Sequence, residues 1–223
     1  MQGTLSVVAT PIGNLGDITL RALETFRQAD AIACEDTRVT SKLLARYEIS
    51  KPLLVFHARS GAGATSRVLA LLADGKRVAL VTDAGTPGIS DPGTELVARA
   101  REIGARIEAI PGASALTAAL SIAGLPTAEF LFLGFLPHKK GRQTLFKTIA
   151  AEQRAVVFYE SPHRIEKALA SLAAALPPSR TVTICRELTK IHEEVVAGTP
   201  AEVSQKLTAA GGMRGEFVVI VAP

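Results

Sequence analysis

Short apolar runs alternate with longer amphipathic stretches along the first half of the chain. The runs are rich in β-branched and small residues, which is typical of strands buried on both faces, and helical periodicity follows each of them. This alternation predicts a largely parallel sheet. The predicted strands span residues 5–9, 31–34, 53–56, 78–81 and 107–110. The predicted helices begin near residues 17, 36, 64, 91 and 114.

The pattern changes after Leu125-Pro126. A short polar stretch separates the predicted strands around Cys185 and Val195, which favours an antiparallel hairpin and therefore a mixed sheet. The predicted strands are 130–134, 155–159, 181–186, 193–198 and 216–221, and the helices are 143–152, 163–175 and 200–209. We therefore predict two α/β domains, residues 1–112 and 128–223, joined by a bridging helix and linker at 113–127, with a cleft between them.

The composition of the chain limits the classes of protein to which it can belong. The chain has 223 residues, of which 48% are hydrophobic, so it can bury a sizeable core. It contains no run of about 18 apolar residues and begins almost at once with a strand-like run, which predicts a soluble cytoplasmic protein. Cys34 and Cys185 each lie in an apolar run without a nearby Cys or His, so neither a disulfide framework nor a zinc site is indicated.

The charge pattern points weakly towards an anionic partner. The net charge is +4, and a loop places His138, Lys139, Lys140 and Arg142 close together in sequence. Such a cluster is a candidate phosphate-contacting edge. The alternative interpretation is the solvated start of a helix.

The segment from Lys76 to Ala98 has the pattern strand, loop, helix, and its loop is dense in glycine, proline and small hydroxyl residues. In open α/β sheets, ligands bind beside loops at the carboxyl ends of strands. Gly85 would let a ligand approach the main chain closely. Asp91 followed by Pro92 predicts the N-cap and first turn of the next helix. The alternative is an ordinary connection between a strand and a helix.

Four loops are expected to face the predicted cleft, at residues 10–17, 83–91, 111–115 and 159–162. All are poor in Lys and Arg. A nucleoside triphosphate site would need a lysine-bearing glycine loop or metal-binding carboxylates, and no GxGxxG follows the first strand. The loops favour a compact ligand of little negative charge, bound without a metal.

Seven segments together resemble the ribosomal RNA small subunit methyltransferase I family of the tetrapyrrole methylase superfamily. They cover nearly the whole chain in the order of the family, although any one of them alone would be a weak signal. The segments are VATPIGNLGDITLRAL (8 to 23), ACEDTR (33 to 38), VTDAGTPGISDPG (81 to 93), AIPGASALTAAL (109 to 120), FYESPHRI (158 to 165), CRELTKIHEE (185 to 194) and GEFVVIV (215 to 221).

The resemblance implies a homodimeric, two-domain methyltransferase of the tetrapyrrole methylase type. It would hold S-adenosylmethionine in the interdomain cleft and methylate the ribose 2′-oxygen of a cytidine in 16S rRNA. Thr86 departs from the Gly-Asp-Pro turn of the tetrapyrrole enzymes, and this departure selects the ribosomal branch. The cofactor contacts that it implies are Pro11, Ile12, Asp83, Gly85, Thr86, Pro87, Ile89, Ser90, Ser114, Ala115, Tyr159, Glu160 and Leu188. Family members commonly carry a helical segment beyond the point where this chain ends, at Pro223.

Methylation of a hydroxyl requires a group that accepts its proton or hydrogen-bonds to it strongly. Glu35 and Asp36 are catalytic candidates, with Arg38 beside them to hold a phosphate. The alternative for Asp36 is an N-cap that pairs with the first helical turn. Glu187 and Lys190 form a second candidate set, for substrate binding and catalysis respectively.

Two other functions remain possible at this point. A precorrin or uroporphyrinogen carbon methyltransferase would share the cofactor loops, but the ACEDTR and GTPGISDP segments speak against it. A non-catalytic module would bind a nucleotide or a partner through the same cleft. Methyl transfer to isolated small subunits discriminates between all three.

Overall fold

A computed structural model of the chain describes residues 2–57, 62–91, 93–138, 141–209 and 211–223. Its contacts divide the chain into two compact units, Met1–Ser114 and Ala115–Pro223. Each unit contains a five-stranded sheet with helices, so the predicted α/β class is confirmed. Within the described ranges, no helix combines the length and apolar character that a bilayer crossing requires.

The first unit is built on a sheet with the strand order β3-β2-β4-β1-β5, in which all four pairs of neighbours are parallel. The predicted parallel sheet is therefore confirmed. Its strands are β1 (Thr4–Val8), β2 (Ala31–Cys34), β3 (Leu53–Val55), β4 (Arg77–Leu80) and β5 (Arg106–Ile110). Its helices are α1 (Leu20–Gln28), α2 (Thr37–Arg46), α3 (Ala62–Ala73) and α4 (Thr94–Glu102), and a 3₁₀ turn spans Leu15–Asp17.

Helix α1 begins three residues later than the sequence pattern predicts, because a separate turn precedes it. The side chain of Asn14 accepts a hydrogen bond from the N–H of Gly16 and caps the 3₁₀ turn. The hydroxyl of Thr19 then accepts a hydrogen bond from the N–H of Ala22 and caps α1. Two caps in succession therefore shape the loop that follows β1.

The central strands of this sheet are covered on both faces. Successive side chains of a strand point to opposite faces. Ile32 accordingly packs with Phe26 in one apolar cluster, while the adjacent Ala33 packs with Leu72 and Leu80 in another. Two separate apolar clusters therefore pack against the strands. The carboxyl ends of the strands lie at the same edge of the sheet.

The second unit has a mixed sheet with the strand order β6-β7-β10-β8-β9. Strands β6 and β7 are parallel, whereas the other pairs are antiparallel, and the predicted hairpin of β8 and β9 is confirmed. The strands are β6 (Phe130–Phe135), β7 (Ala155–Glu160), β8 (Val182–Arg186), β9 (Glu194–Gly198) and β10 (Phe217–Val221). The helices are α5 (Ala115–Ile122), α6 (Arg142–Ala151), α7 (Ile165–Ala175) and α8 (Pro200–Ala209).

One buried arginine joins the end of this unit to its helices. The guanidinium of Arg180 donates hydrogen bonds to the carbonyl oxygens of Ala222 at 2.7 Å and of Ile149 and Ala150 at 2.9 Å. Only 8% of Arg180 is exposed. Its Nη2 atom has no hydrogen-bond partner within the described residues. Arg180 thus fixes the chain after β10 to the carboxyl end of α6.

Arg180→Ala is expected to lower the free energy of unfolding of the second unit by about 3 kcal/mol, because hydrogen bonds from a charged donor are lost and buried carbonyl groups remain unpaired. Urea denaturation measures the change. The matched control is Arg154→Ala, because Arg154 forms an exposed pair with Glu152. The control should leave the midpoint nearly unchanged. Equal midpoints for both variants would show that Arg180 does not join these elements.

Candidate functional site

Three loops of the first unit are joined at the carboxyl edge of its sheet. Thr10 and Gly85 exchange main-chain hydrogen bonds of 2.9 and 3.0 Å, so the loop after β1 pairs with the loop after β4. The hydroxyl of Thr10 also donates to the carbonyl oxygen of Thr82 at 3.1 Å. The hydroxyl of Thr86 donates to the carbonyl oxygen of Ala113 at 3.2 Å and brings in the loop after β5. These hydrogen bonds join the three loops into one continuous surface.

Gly85 lies where the three loops approach most closely. Its φ of +82° is in the left-handed region, and a Cβ at this position would lie 3.4 Å from Cγ2 of Ile12 and 3.9 Å from the carbonyl oxygen of Ala113. Ser90, on the same loop, has a φ of 66°. A non-glycine residue in this conformation costs energy and is often found at functional sites.

The residues of the first unit that were predicted to contact a cofactor differ in their exposure. Pro11, Ile12, Gly85 and Pro87 are buried, Thr86 and Ser114 are half-buried, and Asp83, Ile89 and Ser90 are exposed. The exposed group is on the outer part of the loop after β4. Within the buried group, Gly85 joins the loop after β4 to the loop after β1 through its main-chain hydrogen bonds with Thr10.

In the second unit, the predicted contacts Tyr159 and Glu160 end β7. The ring of Tyr159 packs against Phe132 and Phe135, with centroids 5.1 and 5.3 Å apart. The carboxylate of Glu160 is fully buried and pairs with Arg142 at 2.8 Å and with Arg164 at 2.7 Å. Only the main chain of Glu160 is left to contact a ligand.

This pairing changes the interpretation of Arg142. The sequence predicts that Arg142 contacts substrate together with Lys139 and Lys140. In the structure, 13% of the Arg142 side chain is exposed, and its guanidinium binds Glu160 and the carbonyl oxygen of Pro137. Arg142 therefore has a structural role within the second unit, and its contact with substrate stays a prediction. Lys139 and Lys140 lie outside the described residues.

The predicted residues Glu187, Leu188 and Lys190 follow β8. Leu188 is buried, and Glu187 precedes it with a φ of 49°. The ammonium group of Lys190 donates to Glu187 at 3.0 Å and to Glu216 at 2.8 Å. Burial alone lowers the pKa of Lys190, but the hydrogen bonds to these two carboxylates raise it above its ordinary value. Lys190 is thus held as a cation and does not accept a proton at neutral pH.

Asp36 caps α2, as the alternative interpretation of the sequence states. Its carboxylate accepts a hydrogen bond of 2.8 Å from the N–H of Arg38 and one of 2.6 Å from its guanidinium. These bonds hold the pKa of Asp36 at about 2. Asp36 is therefore a weak proton acceptor near neutral pH. Arg38 remains 86% exposed and can reach a substrate from the edge of the sheet.

Glu35 and Asp91, which are far apart in sequence, are both close to Thr82 at the carboxyl edge of the sheet. The hydroxyl of Thr82 donates a hydrogen bond of 3.3 Å to Oε2 of Glu35. Burial and the negative charges of Glu35 and Asp83 raise the pKa of Asp91 to about 6, although the hydrogen bond with Thr82 lowers it. Asp91 was not among the site residues predicted from the sequence.

The sequence predicted a different role for Asp91, and that prediction is wrong. Helix α4 begins at Thr94, and its N-cap is Gly93, without a side-chain cap. Gly93 has a φ of +138°, a conformation that L side chains rarely adopt. Pro92 lies outside the described residues.

Among the described residues, no group of three or more His, Cys, Asp and Glu side chains is arranged to hold a metal ion. The acidic residues at the carboxyl edge hydrogen-bond to Thr82, to Arg38 or to main-chain N–H groups instead. Asp83, for example, accepts a hydrogen bond of 3.0 Å from the N–H of Asp36. This part of the site is therefore a hydrogen-bonded network of carboxylates.

Two solved structures share the fold at low sequence identity. Cobalt precorrin-4 methyltransferase is 19% identical, with a TM-score of 0.73 and coverage of 98% of this chain and 94% of that one. Diphthine synthase is 17% identical, with a TM-score of 0.76 and coverage of 99% and 90%. These similarities concern the fold alone.

Sequence comparisons are more specific. The family model for tetrapyrrole (corrin/porphyrin) methylases matches residues 4–204. The chain is 47% identical over 222 residues to a protein of Synechocystis sp. that is named ribosomal RNA small subunit methyltransferase I, covering 99% of this chain and 79% of the relative. It is 46% identical over 221 residues to the protein of that name from Thermotoga maritima, covering 99% of each. The chain therefore belongs to the ribosomal RNA small subunit methyltransferase I family of the tetrapyrrole methylases.

Proposed function

We propose that this chain transfers a methyl group from S-adenosylmethionine to the ribose 2′-oxygen of a cytidine in 16S rRNA. The observation that carries the proposal is the 46% identity to the Thermotoga maritima relative, which extends over 99% of both chains. A match of this extent includes all the loops at the carboxyl edge of the first sheet. A tetrapyrrole substrate is less well supported, because the structures whose names contain precorrin or uroporphyrin are at most 21% identical.

The surface that the three loops form around Gly85 fits a cofactor of little net negative charge. It offers main-chain polar groups and small side chains, and a Cβ at Gly85 would fill the space beside Ile12 and Ala113. S-adenosylmethionine supplies a methyl group that its positive sulfur activates for transfer. The proposed contacts in the first unit are Pro11, Ile12, Asp83, Gly85, Thr86, Pro87, Ile89, Ser90 and Ser114. Those in the second unit are Ala115, Tyr159, Leu188 and the main chain of Glu160.

Other residues are proposed to bind and activate the RNA. A ribose hydroxyl is a poor nucleophile until a base accepts its proton. Glu35 is half-buried beside Thr82 and suits this role better than Asp36, whose pKa is about 2. Arg38 is exposed and suits a phosphate contact, and Lys139 and Lys140 remain proposed contacts of the same kind. Lys190 contributes positive charge near Glu187 and Glu216.

Isolated small ribosomal subunits incubated with radiolabelled S-adenosylmethionine and this chain should incorporate label into 16S rRNA. Methylation of the 2′-oxygen removes the nucleophile for alkaline cleavage, so the labelled nucleotide should survive in an alkali-resistant dinucleotide. A parallel reaction with uroporphyrinogen serves as the control. Label in the macrocycle, or in an alkali-sensitive nucleotide, would contradict the proposed function.

Gly85→Val should weaken binding of S-adenosylmethionine at least tenfold, because the side chain would occupy the space beside Ile12. The matched control is Gly124→Val, since Gly124 has a φ of +65° but has no atoms within 4 Å of a Cβ. Both variants carry the cost of a left-handed residue, about 1–2 kcal/mol. Only the Gly85→Val variant should bind S-adenosylmethionine more weakly than the parent protein does.

Calorimetry with and without a chelator measures the binding of each variant. Unchanged affinity in a folded Gly85→Val protein would show that the loop after β4 is an ordinary structural turn. Loss of binding by the parent in the chelator would contradict cofactor binding without a metal.

We also expect the chain to form a homodimer, as the family resemblance implies. The second unit leaves large apolar side chains exposed, including Phe135 at 56% and Ile191 at 93%. Such surfaces are available for contact with a second copy. Light scattering at micromolar concentration should give twice the chain mass of 23.4 kDa. A mass of one chain under these conditions would contradict this expectation.

A further inference from the structure

The turn that follows β8 contains a backbone conformation that is unusual for L-residues, and it contains this conformation twice. Glu187 has a φ of 49° and Thr189 a φ of 66°, so left-handed residues lie on both sides of Leu188. Each such residue costs energy and persists only where the surrounding structure holds it in place. Contacts of the Glu187 side chain supply part of that restraint.

The carboxylate of Glu187 takes the place of its own main-chain carbonyl group where the pairing of β8 with β10 ends. Arg186 pairs with Phe217, so Glu187 lies opposite Glu216 at the next step. The N–H of Glu187 donates to the carbonyl oxygen of Glu216 at 3.0 Å, and a regular antiparallel pair would also form the reverse bond. Here the N–H of Glu216 donates to Oε1 of Glu187 at 2.9 Å instead. The carbonyl oxygen of Glu187 accepts a hydrogen bond of 3.0 Å from the N–H of Lys190.

Two neighbours fix the position of this carboxylate. The ammonium group of Lys190 donates to Oε1 of Glu187 at 3.0 Å and to Oε2 of Glu216 at 2.8 Å. On the other side lies Gly215, whose φ is +101°. A Cβ at this position would lie 2.5 Å from Cγ and 2.6 Å from Oε1 of Glu187. Only a glycine at 215 leaves this space for the Glu187 carboxylate.

The main chain of Leu188 differs from that of its neighbours in the turn. The N–H groups of Glu187 and Lys190 donate to main-chain oxygens. The N–H of Thr189 donates to Oε2 of Glu193 at 2.6 Å. Among the hydrogen bonds of the described residues, none involves the N–H or the carbonyl oxygen of Leu188, although this residue is only 7% exposed. Main-chain polar groups of buried residues nearly always have a partner, so these two groups are suited to contact a ligand.

We propose that Glu187 is a positioning residue of the cofactor site, which holds the main chain of Leu188 in the conformation that binds S-adenosylmethionine. This inference rests on the proposed function, which assigns to Leu188 a contact with the cofactor. The carboxylate of Glu187 acts without touching the cofactor. It binds Glu216 and Lys190, so the N–H and the carbonyl oxygen of Leu188 keep one orientation before the ligand arrives. Order that is established during folding need not be established again on binding.

Glu187→Gly separates this role from backbone strain. Glycine adopts a φ of 49° without a steric cost, so relief of strain alone predicts a more stable protein with unchanged affinity. We expect instead that the dissociation constant for S-adenosylmethionine rises about tenfold or more, because the N–H of Glu216 loses its acceptor. Calorimetry measures this constant, and urea denaturation shows that the variant is folded.

Two further variants serve as the rescue and the matched control. Glu187→Gln keeps an oxygen that accepts hydrogen bonds, so it should bind S-adenosylmethionine within about threefold of the parent. Thr189→Gly relieves the same kind of strain and keeps the hydrogen bond from its N–H to Glu193, so it should bind as the parent does. Unchanged affinity in a folded Glu187→Gly protein, or an equal loss in Glu187→Gln, would overturn the inference.

A double-variant cycle assigns the effect to the carboxylate. Gly215→Ala should also weaken binding, because its Cβ displaces the side chain of Glu187 from the N–H of Glu216. In the Glu187→Gly background, the same change has no carboxylate to displace and should alter the dissociation constant less than about twofold. Equal losses in both backgrounds would show that Gly215 acts independently of Glu187 and would contradict the positioning role.

Turnover with isolated small subunits distinguishes this inference from the proposed function. Glu187→Gly should raise the KM for S-adenosylmethionine about tenfold, whereas kcat at saturating cofactor should stay within about threefold of the parent value. A lower kcat with an unchanged KM would overturn the positioning role. A parent that binds S-adenosylmethionine more tightly than Glu187→Gly but methylates no rRNA would support the positioning role and contradict the proposed function.

Discussion

The parallel arrangement of β1, β2, β4 and β5 is the constraint on which the site in the first unit depends. Parallel strands end at the same edge of the sheet, so segments from four separate parts of the chain meet there. The reciprocal hydrogen bonds of Thr10 and Gly85 then join two of these segments directly. The hydroxyl of Thr86 joins a third through the carbonyl oxygen of Ala113. The strands bring the loops together, and the hydrogen bonds fix their relative positions.

Glu160 in the second unit and Asp91 in the first have opposite electrostatic surroundings. Glu160 in the second unit is enclosed by Arg142 and Arg164, and both guanidinium groups are largely buried. Asp91 in the first unit has the acidic neighbours Glu35 and Asp83. The first arrangement pairs the carboxylate with two guanidinium groups and so joins the end of β7 to the start of α6 and the start of α7. The second raises the pKa of Asp91 to about 6.

The sequence predicted those features that depend on local pattern. The apolar run at 31–34 became β2 without any change of boundary, and the polar stretch between β8 and β9 became a hairpin. The sequence did not predict the roles of residues that depend on contacts with residues far away along the chain. From the sequence alone, Arg142 is predicted to be a surface cation and Asp91 a helix cap. In the structure, Arg142 pairs with Glu160, and Asp91 is close to Thr82. Spacing along a chain carries no information on contacts of this kind, because they arise only when separate strands pair.

The exchange of hydrogen bonds between Thr10 and Gly85 has a thermodynamic consequence for any ligand of the first unit. Each loop alone would lose conformational entropy on binding, at about 1–2 kcal/mol for every residue that becomes fixed. Because the two loops are already bound to each other, that entropy has been lost during folding. A ligand therefore meets a surface that is organised in advance, and more of its contact energy is retained as affinity.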